Sequence, residues 1–274
     1  LVFVLAEVVL GKRRSLGNTG ETISAIALGT WGIRNENDAL TTLVKGVELG
    51  LSTIDTAEMY GSGRAEELVG RVVKHVGRDL VFLITKMLPD RLKSRYDVLK
   101  HGKAALRRLG VNEVDLYLIH WPNPTLSIQE QVKNFESLID EGLTRYIGVS
   151  NFDESELVEA INSTKKADIV LNQVHYSVLR KEIEEALLPT ALKHHVTIQA
   201  YTPLERGEVL KHPKLVEISS RINKPVVQIA LNYVIREPYL AAVVKTENVK
   251  HLEEIAQTLE WSLTPELIEV LRKL

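Results

Sequence analysis

Two periodicities alternate along this chain. Eight short runs rich in β-branched residues recur: 25–30 (AIALGT), 52–56 (STIDT), 80–85 (LVFLIT), 114–119 (VDLYLI), 145–150 (RYIGVS), 169–174 (IVLNQV), 196–201 (VTIQAY) and 240–245 (LAAVVK). Each is apolar nearly throughout, the pattern of a strand buried on both faces of a parallel sheet. Between them apolar residues recur every three or four positions, as in DALTTLVKGVELG and YDVLKHGKAALRRLG, the period of a helix with one buried face. Several of these stretches end in glycine, which accepts the left-handed conformation that closes a helix. Asp153, with Glu156 three residues on, has capping-box spacing. Eight strands alternating with about eight helices predict a closed barrel of the α/β class, the (β/α)8 or TIM-barrel architecture.

Two pieces fall outside the eight units. Residues 13–24 (RRSLGNTGETIS) set glycines and polar residues between short segments, which predicts a β-hairpin ahead of the barrel, placed to close its floor. Near the other end, Thr264 as a cap and Pro265 in the first turn predict an extra C-terminal helix. No linker, repeat or charge block divides the chain, so residues 1–274 are expected to form a single barrel domain, with 1–12 as an N-terminal extension. The apolar run of that extension is broken by Glu7 and followed, not preceded, by its basic residues. It is too short for a membrane span of about 20 residues and has the wrong charge order for a signal peptide.

Composition narrows the partners. Of 274 residues, 45% are hydrophobic and 26% charged, which suits a globular chain with a sizeable core. A formal net charge of −2 with acids and bases interleaved supplies no basic field for nucleic acid or an anionic membrane, so a small molecule is the expected partner. The absence of cysteine removes thiolate nucleophiles, cysteine metal ligands and disulfides together. With abundant Lys, Glu and Arg it also suggests a heat-adapted protein, and the expected location is cytoplasmic. A monomer or weak homo-oligomer is expected.

In such a barrel, chemistry gathers where strands run out into the loops that lead to helices. The runs end there in polar residues: Asp55, Lys86, His120, Ser150 with Asn151, and Tyr201, while the sixth carries Gln173. Singly, each has a plain structural reading, Asp55 as a turn cap, Lys86 as a surface lysine and His120 as an interior histidine. Together they converge on one mouth. A carboxylate and a lysine on adjacent strands can pair, and Tyr60 on the following loop can reach the lysine. Such a lysine favours the phenolate and is expected to lower the Tyr60 pKa from about 10, making it a general acid. Neutral His120 can orient the same substrate oxygen. The implied chemistry is proton delivery to a carbonyl oxygen.

Other signals are weaker. GSGRAEELVG lacks a full dinucleotide fingerprint, GVSNF is only part of a nucleophile elbow, and His194-His195 has no accompanying carboxylate motif, so no metal site is expected.

At this point the residues resemble a family. LGTWG (28–32), DTAEMYG (55–61), ITK (84–86), LYLIHWP (116–122), YIGVSNF (146–152), NQVHY (172–176), AYTPL (200–204) and VVKT (243–246) stand in the order found in the aldo-keto reductases, from about residue 13 to about 260. The resemblance implies reduction of an aldehyde or ketone by hydride from NADPH, with Asp55, Tyr60, Lys86 and His120 as a catalytic tetrad. It further implies that Ser150, Asn151 and Gln173 hold the nicotinamide carboxamide, that Tyr201 stacks on its ring, and that Thr202 and Leu204 approach the pyrophosphate. Lys245 and Thr246 would meet a 2′-phosphate; His251 stands where the family commonly has Arg, which leaves NADH use open. Trp31, Met59 and Trp121 would line the substrate pocket. Glu205 would face the pyrophosphate unless turned away or compensated by Arg206. The chain ends soon after Trp261, which implies an open pocket for small aldehydes, ketones or dicarbonyls. Two other readings stay open: a nucleotide-binding regulatory subunit on the same barrel, and an aldolase using Lys86 as a Schiff-base nucleophile.

Overall fold

A computed structural model describes residues 12–274, and residues 1–11 of the expected extension lie outside the described residues. Among the described residues there are ten strands: β1 (Arg13–Ser15), β2 (Thr22–Ser24), β3 (Ile26–Gly29), β4 (Thr53–Asp55), β5 (Phe82–Met87), β6 (Val114–Ile119), β7 (Thr144–Ser150), β8 (Ile169–His175), β9 (Thr197–Tyr201) and β10 (Leu240–Val244). Strands β3 to β10 close into a parallel barrel in chain order, with β10 pairing β3 at the seam. Helices such as Glu36–Glu48, Arg64–Val76 and Arg95–Leu109 follow the strands. The expected caps are in place: Asp153 and Glu156 form a reciprocal capping box, and Thr264 accepts from the Leu267 N–H ahead of Pro265–Arg272.

Side chains alternate across each strand, and the two hydrophobic clusters divide along that alternation. Leu83, Met87, Tyr117, Ile119, Ile198 and Val244 belong to the large cluster that the helices cover. Phe82, Ile84, Leu116, Leu118, Leu171 and Ala241 face inward and form the barrel's own core. The hairpin β1–β2 inserts Leu16 and Ile23, both fully buried, into that inner cluster. Its backbone is tied to the barrel as well: Gly17 N–H donates to Thr197 Oγ1 at 2.9 Å, and Ser24 N–H to Thr53 Oγ1 at 2.9 Å. Among the described residues the hairpin therefore plugs one end of the barrel, and the opposite end is the one left open to ligands.

The third strand differs from expectation. It runs Phe82–Met87 rather than 80–85, because Arg78–Leu80 forms a short 3-10 turn and pairing with β6 continues through Lys86 and Met87. Lys86 is thus the next inward position after Phe82 and Ile84, inside the barrel and not at its rim.

Between β7 and β8 the register shifts at Gly148. A Cβ there would stand 2.6 Å from the Leu171 carbonyl oxygen and 2.7 Å from Leu118 Cδ2, and a backbone oxygen has little room to yield. We expect Gly148→Ala to destabilise the fold by about 1–3 kcal/mol, read as a lower urea midpoint at unchanged m. An unshifted midpoint would show that the barrel wall relaxes there.

Candidate active site

Following the inward positions upward along each strand leads to the open mouth. Above the apolar floor comes a polar layer: Asp55 on β4, Lys86 on β5, Gln173 on β8 and Gln199 on β9, all buried. Lys86 Nζ donates to Asp55 Oδ1 at 2.6 Å, to the Thr56 carbonyl at 2.9 Å and to Tyr60 Oη at 3.2 Å. An ammonium has three N–H bonds, so all of its donors are engaged. Burial alone would lower the Lys86 pKa, but Asp55 and Tyr60 outweigh it and the net direction is upward. The lysine is a fixed cation.

Tyr60 lies on the loop after β4, next to Gly61 and Ser62, both at positive φ. That turn folds the phenol back over the barrel so that it reaches Lys86. Its oxygen accepts from Lys86, and among the described residues its own proton has no protein acceptor. The expected direction of its pKa is corrected by the structure. Burial raises it, the Lys86 charge pulls it back down, the Asp55 charge adds to the rise, and the net shift is upward from 10. The lysine thus restrains the shift without reversing it.

His120 follows the end of β6 and is buried, its ring edge-on to Tyr60 at 5.8 Å and stacked on Trp121 at 3.9 Å. Burial, and then the nearby Lys86 charge, lower its pKa to about 2, so the ring is neutral throughout the physiological range. Its Nδ1 is enclosed without a partner among the described residues, which leaves Nε2 as the nitrogen able to meet a ligand.

On the other side of the mouth, Asn151 sits at φ +60, a conformation that asparagine tolerates better than most residues. Its Nδ2 donates to the His120 carbonyl and to Ser150 Oγ, while its Oδ1 accepts from Tyr201 Oη at 2.8 Å. The Tyr201 ring is half-buried and stacked on His175 at 5.3 Å, so both its plane and its tip are fixed. Gln173 Nε2 donates to Asp55 Oδ2 at 2.8 Å and to Gln199 Oε1 at 2.7 Å. Ser150, Asn151, Gln173 and Tyr201 are therefore brought together with the Asp55, Lys86, Tyr60 and His120 cluster. Trp31 and Met59 are exposed at the rim, at 55% and 39%.

The loop after β9 departs from expectation in one respect. Glu205 does find a partner, but it is His175, whose Nε2 is 2.9 Å from Glu205 Oε1, and not the adjacent Arg206. Arg206 instead places its guanidinium 5.4 Å from the Trp31 ring centroid. Thr202, Glu205 and Arg206 all hold positive φ, so the backbone turns sharply enough to send neighbouring side chains in opposite directions.

Lys245, Thr246 and His251 lie on one segment at the barrel seam, where Asn248 caps the helix Val249–Ala256. Sequence reading missed three participants here and in the layer below. Gln199 was visible as a polar residue inside an apolar strand run. Glu247 was visible as an acid directly after VVKT. His175 gave no such signal, since only the loop conformation brings Glu205 to it.

Comparison with known proteins agrees with this fold. The family model described as the aldo/keto reductase family matches residues 25–274. The chain is 33% identical to the methylglyoxal reductase YeaE of Escherichia coli over 261 residues, covering 92% of this chain and 91% of that protein. A solved thermostable aldo-keto reductase in complex with the inhibitor epalrestat superimposes with a TM-score of 0.90 at 36% identity, covering 96% of this chain and 99% of that one. A Klebsiella pneumoniae aldo/keto reductase in complex with NADP and acetate superimposes with a TM-score of 0.88 at 31% identity, covering 96% and 95%. The chain belongs to the aldo/keto reductase family, and it is an oxidoreductase. Among the described residues no helix is long and apolar enough to cross a membrane.

The His120 shift has a thermodynamic consequence. Below its ordinary value near 6.5 the unfolded chain takes up a proton that folded His120 refuses down to about 2, so stability falls as pH falls through that window. One such proton contributes a slope of about 1.4 kcal/mol per pH unit. Replacing His120 by Asn is expected to flatten the stability profile between pH 4 and 6 by about that amount, measured by urea unfolding. Parallel profiles would mean that His120 takes up its proton in the folded state as readily as in the unfolded one.

Proposed function

We propose that the protein reduces small aldehydes, ketones or dicarbonyls to alcohols with NADPH, and that Tyr60 is the general acid. The observation that carries this reading is the arrangement around the phenol. A fully engaged ammonium contacts its oxygen while its proton is left without a protein acceptor, and a neutral imidazole stands edge-on beside it.

The residues present fit the cofactor. The Tyr201 ring, pinned by His175 and Asn151, is a ready platform for a planar ring, and the Ser150, Asn151 and Gln173 side chains beside it offer the hydroxyl and amide groups that suit a carboxamide. Thr202 and Leu204 begin the strained loop that would follow the pyrophosphate, and Lys245, Thr246 and His251 would take the 2′-phosphate. When bound, NADPH supplies the hydride, and with it the electron pair, that the carbonyl carbon accepts.

This chain's own residues do the rest. His120 Nε2–H donates to the carbonyl oxygen and sets its direction. As charge develops on that oxygen, Tyr60 passes its proton to it, so one C–H and one O–H bond form and the C=O π bond is lost. The phenolate left behind is held by Lys86, whose charge is in turn held by Asp55, until solvent returns the proton. The upward pKa of free Tyr60 keeps the proton on it before substrate arrives, and Lys86 limits the cost of giving it up. Trp31, Met59 and Trp121 give the mouth an apolar rim suited to small, weakly polar carbonyls. The relative named as a methylglyoxal reductase supports dicarbonyls within that class.

The aldolase alternative needs a lysine with a free lone pair. Lys86 has none to offer, being fully buried, engaged at all three N–H bonds and raised in pKa.

Tyr60→Phe keeps the ring and removes only the acid. We expect kcat for a dicarbonyl to fall by about 10²–10⁴-fold while the NADPH dissociation constant stays within about twofold. Wild-type protein that binds NADPH but turns over no carbonyl would favour a regulatory subunit instead. A Phe variant with near-native kcat would remove Tyr60 from its assigned role.

A further inference from the structure

The seam of the barrel carries a carboxylate that the reaction does not use. Glu247 follows β10 by three residues and is partly buried, its side chain 16% exposed. One of its oxygens pairs with Lys245 Nζ. The carboxylate also accepts the backbone N–H of Arg34 at 3.2 Å and of Asn35 at 2.8 Å, from the loop after β3. It thus ties the first barrel strand's loop to the last strand's loop, and it occupies the ammonium assigned above to a 2′-phosphate. Partial burial would raise its pKa, but Lys245 and the two amides outweigh burial and keep it ionised.

We propose that Glu247 sets the choice between the two dinucleotides. It competes with a 2′-phosphate for Lys245, and so it compresses the preference for NADPH until NADH is also used. The argument is electrostatic and rests on reading this segment as the adenosine subsite. A phosphate arriving here must draw Lys245 from an acid already in contact with it, and must then sit beside that acid's negative charge. A ribose 2′-hydroxyl meets neither obstacle, because it can donate to the same carboxylate, as ribose hydroxyls do to acidic residues in other dinucleotide sites. The remaining side chains add little to rescue the phosphate. Thr246 Oγ1 is taken up in local turns with Asn248, and Asn248 Oδ1 already accepts the N–H groups of Lys250 and His251. The exposed imidazole of His251 is no substitute for a guanidinium fork. The two anchoring amides matter to the argument. Held from the opposite loop, Glu247 cannot simply swing away when a phosphate approaches.

The test is binding, independent of turnover. Glu247→Gln keeps the shape and the acceptor for Arg34 and Asn35 but removes the charge. Dissociation constants are measured by calorimetry for 2′,5′-ADP and 5′-ADP, and by fluorescence for NADPH and NADH, on wild type and variant. The expected result is that the variant binds 2′,5′-ADP and NADPH about tenfold tighter, while 5′-ADP and NADH bind no tighter than to wild type. Glu247→Asp, which restores the charge, should return the ratio toward wild type. Equal changes for the phosphorylated and unphosphorylated ligands, or none, would overturn the inference and leave Glu247 as a loop staple only. Wild-type protein that bound neither dinucleotide would bring down the functional reading as well, whereas an unmoved ratio with both bound leaves that reading standing.

Discussion

The contact between Lys86 and Asp55 governs this structure. Burying an ammonium and a carboxylate costs several kcal/mol per ion even after relaxation, and the attraction offsets that only when geometry is close and remaining groups are satisfied. Here they are. The lysine has the Thr56 carbonyl and the Tyr60 oxygen as its other acceptors, and the second oxygen of Asp55 receives Gln173, which is steadied by Gln199. The amides of the inner layer thus answer to the charge pair. Loss of Lys86 or Asp55 would leave the other's buried charge without its partner, so these side chains hold one arrangement. Tyr60 inherits its position from that arrangement, and His120 is kept neutral by its burial and, second, by the same fixed cation.

Strain is concentrated on the opposite side of the mouth. Of the non-glycine residues at positive φ, Asn151, Thr202, Glu205 and Arg206 all sit on loops leaving β7 and β9. A β-branched threonine in that region is costly, on the order of 1–3 kcal/mol, and persists because its surroundings over-determine it. The surroundings are visible: Asn151 is bonded to both the His120 backbone and Tyr201, and Glu205 is paired with His175. The packed core below is thus the source of rigidity from which the ligand-facing loops are shaped.

Much of this was written in the pattern of apolar residues. The eight runs told which strands exist, and the polar residues that end or interrupt them, Asp55, Lys86, His120, Gln173 and Tyr201, stood out because the strands are otherwise apolar on both faces. The hairpin was legible from its glycines, and its plugging role follows from Leu16 and Ile23 having nowhere else to be buried. What was not legible depends on balances or on distant pairing. The Tyr60 shift was misjudged because a charge is visible in sequence while desolvation is a property of the finished fold. For Glu205 the sequence offered only its neighbour Arg206 as a compensating charge, because proximity along the chain says nothing about a backbone that turns sharply between them. The bond from Glu247 to the loop after β3 joins residues more than two hundred positions apart, and only closure of the barrel brings them together.

The placement of the indoles has an optical consequence. The chain has three tryptophans. Trp261 is anchored to Gln228 on the outer layer, remote from the mouth, while Trp121 stacks on His120 and Trp31 lies beneath the Arg206 guanidinium. Two of the three emitters therefore stand at the reaction chamber, one against a neutral imidazole and one against a guanidinium. A change at the loop that carries Arg206 would alter the surroundings of the second without touching the first, so the two indoles report on different walls of the chamber.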